Sequence, residues 1–223
     1  MNPRKIIYPS YWDEGVSAIT SKDPILAKIM RDYKEIRLYS HGNFFLTLVR
    51  AIISQQISNS AAKKISQRVL FLVSLENMLS NKEFSVNISA SCFLKSKNKF
   101  KYFGISEKKI YYLTEISKNI KKNPIYWNNL KNLTDDEIIK ALCLHKGIGL
   151  WTAQMYLIFH LMRPNVFPNR DVGIINTIKV AYNLSNVTEV NALIPELNQM
   201  WHPWNTIAAW YLWCYSDSYP TVY

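Results

Sequence analysis

Leu144-His145-Lys146-Gly147-Ile148-Gly149-Leu150-Trp151-Thr152-Ala153 is a short stretch in which two glycines flank one aliphatic residue between two helical patterns. The helix before it opens at Thr134-Asp135-Asp136-Glu137, a capping box in which Thr and Glu each satisfy the other's backbone N–H. That helix carries Ile138, Ile139, Leu142 and Cys143 and is expected to run to Gly147. The helix after it, 150–162, is apolar nearly all round and should be buried. Glycines at the junction let the chain reverse tightly and bring bare backbone close to a ligand. The N–H groups that open the second helix then point outward, an arrangement suited to a phosphate. Ile148 would pin the turn onto the core. Most Gly-x-Gly pairs are ordinary turns, so the reading rests on the flanking helices and on the charge of the chain.

Working outward, the dominant period is helical. Phe44, Phe45, Leu48, Val49, Ile52, Ile53 and Ile57 cover one helix face, and 58–73 continue as a second helix with Lys63, Lys64 and Arg68 on its polar side. Further helices are expected at 24–33, 107–120, 172–182, 188–200 and 204–215. Strand alternation is weak and there is no internal repeat, so the fold is read as all-α. In residues 81–104, Lys95, Lys97, Lys99 and Lys101 alternate with Ser96, Asn98 and Phe100, which reads as a solvated connector, with a nucleic-acid contact as the alternative.

The 223 residues suffice for one compact unit or two small lobes, and 48% apolar residues exclude a disordered chain. A formal net charge of +11 points to a polyanionic partner, nucleic acid first. The three cysteines, Cys92, Cys143 and Cys214, are widely spaced. They form no zinc pattern, cannot supply a four-cysteine iron–sulfur cluster, and fit a reducing compartment. Residues 1–11 do not read as a signal peptide, and no apolar run is long enough for a bilayer. A cytoplasmic protein is expected, associated with the nucleoid if the source is bacterial.

Asp171 is the only acidic residue between Glu137 and Glu189, and it stands at a helix start after Arg170. An Asp there is ordinarily an N-cap; a fixed carboxylate for chemistry is the other reading, and one residue can serve both. Five of the seven tryptophans lie at or beyond Trp151. Trp204 and Trp210 read as core. His145 reads as a hairpin residue, His160 as a core residue within its helix and His202 as structural, and none is assigned a catalytic role.

Four segments, in order across residues 48–213, resemble helix-hairpin-helix DNA glycosylases, in particular the 3-methyladenine DNA glycosylase II branch. They are Leu48-Val49-Arg50-Ala51-Ile52-Ile53-Ser54-Gln55-Gln56-Ile57-Ser58, the hairpin, Phe167-Pro168-Asn169-Arg170-Asp171-Val172-Gly173, and Trp201-His202-Pro203-Trp204 followed by Ala208-Ala209-Trp210-Tyr211-Leu212-Trp213. Departures are Lys146, where the family commonly has Pro, and Asn169-Arg170, where the branch often has a further acidic residue.

The resemblance implies two helical lobes with an active-site cleft between them, one of residues 42–166 with the hairpin at about 144–150, the other of 1–41 plus 167–223. It implies hydrolysis of the N-glycosidic bond of alkylated bases, with Asp171 as the catalytic carboxylate. Trp151, Met155 and Trp213 would bind the extruded base. Gln55, Gln56, Lys146, Gly147, Gly149 and Thr152 would meet DNA, with the glutamines filling the gap left by the base; a polar helix end is their other reading. No cofactor is required, but a structural Na+ or K+ is implied at main-chain oxygens of Cys143, His145 and Ile148. Bifunctional relatives use a lysine two residues after the second hairpin glycine; Trp151 stands there. The expected partner is double-stranded DNA containing alkylated bases, and the expected state is a monomer. Alternatives are a glycosylase for oxidised or mispaired bases, and a non-catalytic helix-hairpin-helix DNA-binding protein.

Overall fold

The structure, a computed structural model, describes residues 6–81 and 88–217. It is all-α; the only extended pairing among the described residues is an isolated antiparallel bridge between Ile7 and Ser40. The helices are α1 (Trp12–Thr20), α2 (Pro24–Asp32), α3 (Phe44–Ser54), α4 (Asn59–Asn81), α5 (Ala90–Ser96), α6 (Glu107–Lys122), α7 (Pro124–Asn129), α8 (Asp135–Cys143), α9 (Leu150–Phe159), α10 (Val172–Ala181), α11 (Val187–Trp201) and α12 (Asn205–Asp217). The chain divides into two compact units at Gly42/Asn43 and at Tyr156/Leu157. The second division falls inside α9, ten residues before the 166/167 boundary expected from the sequence.

The unit of residues 43–156 is built around α3. Phe45, Leu48, Val49, Ala51, Ile52 and Ile53 are all buried there, as the 3.6-residue period requires. α3 packs on α4 and α6. The segment read as a solvated connector is in fact part of this core. Ser89 caps α5, accepting the N–H of Cys92, and Lys97–Phe103 continue as a 3-10 helix. Phe93 and Phe100 are fully buried and stack 4.4 Å apart. The lysines mask two aromatics spaced seven residues apart, which put a buried face on an otherwise polar stretch. Residues 82–87 of that stretch lie outside the described residues. α7, also unforeseen, buries Trp127, whose indole N–H donates to Asn119 at 2.9 Å.

The other unit is formed by α1, α2, α10, α11 and α12. α12 packs against α10 and α2, with Ile207, Trp210 and Leu212 fully buried. Gly15 in α1 faces Ile207, and a Cβ there would overlap its Cδ1, so a larger residue would require that side chain to move. Asp23 is buried. Its Oδ1 caps α2 through the N–H groups of Ile25 and Leu26, and its Oδ2 accepts from the Trp201 indole at 2.9 Å and from the Tyr182 hydroxyl. Burial and the neighbouring carboxylate push the Tyr182 hydroxyl far above the usual tyrosine range.

Candidate active site and nucleic-acid interface

The hairpin is assembled within the first of these units. The capping box at Thr134 and Glu137 is present in both directions. α8 ends at Cys143, earlier than the Gly147 expected, and residues 144–149 form the turn. Gly147 has φ +90°, and a Cβ there would enter the Tyr112 ring, so the position excludes every other residue type on two counts. Gly149 differs: it has no unusual φ and nothing within 4 Å of where a Cβ would sit. Its bareness is not demanded by the protein's own packing. Ile148 is buried, as the sequence suggested, and the His145 ring packs on Trp127 at 4.9 Å. Burial pushes the His145 pKa down. Lys146 and Gly149 are exposed beside the N-terminus of α9, where the first-turn N–H groups lack helical partners.

The end of α3 meets this hairpin. Gln55 donates from Nε2 to the Gly147 carbonyl and to Thr152 Oγ1, both at 2.9 Å. Thr152 is 1% exposed, so its side chain supports Gln55 and presents nothing to solvent. Gln56 is exposed with φ +58°. Lys109, which no motif marks, donates from Nζ to the carbonyls of Ile53 and Gln55, both at 2.7 Å. Of the residues read as substrate-binding, Trp151 is half-buried and Met155 is fully buried.

The carboxylate is assembled in the other unit. Thr206, at the start of α12, holds the loop that leads to it. Its N–H donates to the Pro164 carbonyl at 3.0 Å, its hydroxyl to the Arg163 carbonyl, and its Oγ1 accepts from the Val166 N–H at 3.0 Å. The loop then turns tightly, with the Asp171 N–H on the Pro168 carbonyl at 2.9 Å. Asp171 caps α10: its Oδ1 accepts the Ile174 N–H at 3.1 Å. The same oxygen accepts the Trp213 indole N–H at 3.1 Å. Trp213 itself stacks on Phe159, 5.7 Å away and 26° from parallel, and is 8% exposed.

Asp171 is half-buried, at a helix N-terminus whose dipole favours an anion. Gly173 matters to it. A Cβ at that position would lie 3.1 Å from Asp171 Oδ1 and 3.6 Å from the Trp213 ring. The N-cap reading of Asp171 is therefore correct as structure, and the indole contact holds the carboxylate in one orientation as well. His160 lies just beyond the end of α9, half-buried, rather than within the helix. His202 is exposed at the end of α11. Trp210 is fully buried, whereas Trp204, expected in the core, is half-buried and stacks on Tyr11 at 5.5 Å. Among the described residues no group of three or more His, Cys, Asp or Glu side chains could hold a metal, and no helix is long and apolar enough to cross a membrane.

Two helices joined by a glycine turn that a buried aliphatic residue pins, α8 and α9 around Ile148, form a helix-hairpin-helix motif. No protein-family model matches the chain. It is 34% identical to a DNA-3-methyladenine glycosylase of Saccharomyces cerevisiae over 172 residues, 70% of this chain and 55% of that one. The crystal structure of DNA-3-methyladenine glycosidase from Bacillus halodurans aligns with a TM-score of 0.68 and 26% identity, covering 95% of this chain and 93% of that one. Schizosaccharomyces pombe 3-methyladenine DNA glycosylase (Mag1) in complex with abasic DNA shares the fold, with a TM-score of 0.76 and 24% identity over 93% of this chain and 100% of that one. The chain spans between 37% and 79% of the length of the curated relatives it matches. In sequence and in fold the chain is similar to helix-hairpin-helix DNA glycosylases.

Proposed function

We propose that this protein is a monofunctional DNA glycosylase that extrudes alkylated bases of the 3-methyladenine type and hydrolyses their N-glycosidic bond, starting base excision repair. The observation that carries the reading is the Asp171 carboxylate, fixed through Oδ1 by the Trp213 indole and the α10 N-terminus. Breaking the bond builds positive charge on the deoxyribose. A carboxylate already held in place stabilises that charge in the transition state without reorganising, and it can orient the attacking water. A base alkylated on a ring nitrogen is already cationic and leaves without a strong general acid.

Double-stranded DNA is the partner we assign, with the protein acting as a monomer. The exposed Lys146 and Gly149 and the N-terminus of α9 fit a phosphate. Gly147 shapes that turn and Thr152 supports it through Gln55. An aromatic face suits an extruded, electron-poor base, a role we give to Trp151 and Trp213, with Met155 beneath the surface. The carbonyls of Cys143, His145 and Ile148 are hard oxygen donors at the end of α8 and suit Na+ or K+; the His145 oxygen already accepts the Ile148 N–H at 3.0 Å. Such an ion would brace the turn and takes no part in bond cleavage. Trp151 occupies the position where bifunctional relatives carry the Schiff-base lysine, so water is the nucleophile and the strand stays intact.

The test is single-turnover release of base from DNA carrying defined lesions. The wild-type chain is expected to leave an intact strand with an abasic site and to give no covalent adduct with borohydride. Asp171→Asn should fold and bind DNA but lose several powers of ten in rate, at about 1.4 kcal/mol for each tenfold. Near-normal excision by that variant would refute the assignment.

A further inference from the structure

Lys109 belongs to none of the motifs, yet its side chain reaches the turn that follows α3. Its two bonds, to the carbonyls of Ile53 and Gln55, are each 2.7 Å. Charge-assisted bonds of this length are strong, and they fall at the C-terminal end of α3, where the helix dipole favours a cation. Partial burial pushes the lysine's pKa down, the cost of taking an ammonium out of water. A lysine present only for solubility would stay in solvent. Gln55 then ties the same turn to the hairpin through Gly147 and Thr152. Gln56 follows, exposed and left-handed at φ +58°. That conformation costs a residue with a Cβ about 1–2 kcal/mol and persists only where the surroundings impose it. Lys109 and the hairpin, both hydrogen-bonded to the turn, are those surroundings.

We propose that Lys109 is a positioning residue that locks the Gln55–Gln56 turn, so that Gln56 projects to fill the gap left by an extruded base while Gln55 acts only as a tie to the hairpin. The proposal rests on the glycosylase reading given above. It divides two adjacent glutamines into different jobs: the side-chain amide of Gln55 is engaged within the protein, and that of Gln56 is presented outward. Lys109 touches neither base nor sugar, so its effect is confined to DNA in which a gap must be filled. A single strand offers no such gap.

The experiment compares wild-type chain with Lys109→Met, Lys109→Arg and Gln56→Ala. One readout is single-turnover excision of the same alkylated base from a duplex and from the matching single strand. The other is the fluorescence of 2-aminopurine placed beside the lesion, which rises when the duplex is unstacked. Lys109→Met and Gln56→Ala should each lower duplex excision about tenfold and lose the fluorescence rise, with single-strand excision within about twofold of wild type. Lys109→Arg should recover most of both signals. Unchanged duplex excision in Lys109→Met overturns the proposal, and so does an equal fall on both substrates. Should Lys109→Met fail to fold, Lys109→Gln, neutral and one bond shorter and so unable to keep both charge-assisted bonds, carries the same comparison with the same loss expected on duplex alone. If wild-type chain excises from neither substrate, the glycosylase reading fails by itself. The fluorescence series then decides on Lys109: a rise kept in wild type and Arg but lost in Met supports the lock, and any other pattern overturns it.

Discussion

Asp23 and Asp171 each cap a helix, and their surroundings separate them. Asp23 is buried and its two oxygens take four donors, from Ile25, Leu26, Trp201 and Tyr182. A buried carboxylate so fully paired is a structural anchor. Asp171 stands half-exposed, with one oxygen shared between a helix N–H and the Trp213 indole. The oxygen that is oriented is also the one crowded by position 173, where a Cβ would come to 3.1 Å. Gly173→Ala should therefore displace the carboxylate by a few tenths of an ångström. We expect excision to fall about tenfold, roughly 1.4 kcal/mol of transition-state stabilisation. Stability should change by no more than about 1 kcal/mol, since alanine is the better helix former. A melting curve and a single-turnover rate on the same protein check this, and an unchanged rate would mean that the carboxylate is not held in a rate-determining position.

The hairpin poses the same question at the level of an element, because its two glycines are alike in sequence and unlike in structure. Gly147→Val meets both a left-handed backbone and the Tyr112 ring. It should lose about 2 kcal/mol or more of folding stability. Gly149→Ala meets open space at an ordinary φ. It should fold as well as the wild type and yet bind duplex DNA more weakly whatever the sequence, because a phosphate contact positions without specifying. Thermal melts and duplex titrations on the two variants separate these outcomes; full DNA affinity in Gly149→Ala would remove that residue from the interface. The capping box, the pinned Ile148 and the glycine pair were all legible beforehand, since each depends on residues within a few positions of one another. α5 and α7 were not, because helices of seven and six residues are too short to show a helical period and reveal themselves only through buried side chains such as Phe93 and Trp127.

For the whole molecule, the formal net charge of +11 bears on how tightly a polyanion is held and says nothing of which lesion is chosen. If the chain neutralises about four phosphates, duplex affinity should drop roughly a hundredfold between about 50 and 200 mM salt. Binding isotherms at several salt concentrations measure that slope, and a flat response would rule out phosphate contacts as the main source of affinity.

By itself the sequence determined the helical class, the hairpin, the cap at Asp171 and the resemblance to one superfamily. All of these are local: helical period, turn chemistry and capping act over one or two turns of chain, and the four motif segments are contiguous. The tertiary structure alone decided what each of those residues is attached to. Trp213 reaches Asp171 across 42 residues, Gln55 reaches Gly147 across 92, and Lys109 reaches back 56 to the end of α3. Hydrogen bonds at such separations leave no periodic trace, because the partner is chosen by how the helices pack and not by its distance along the chain.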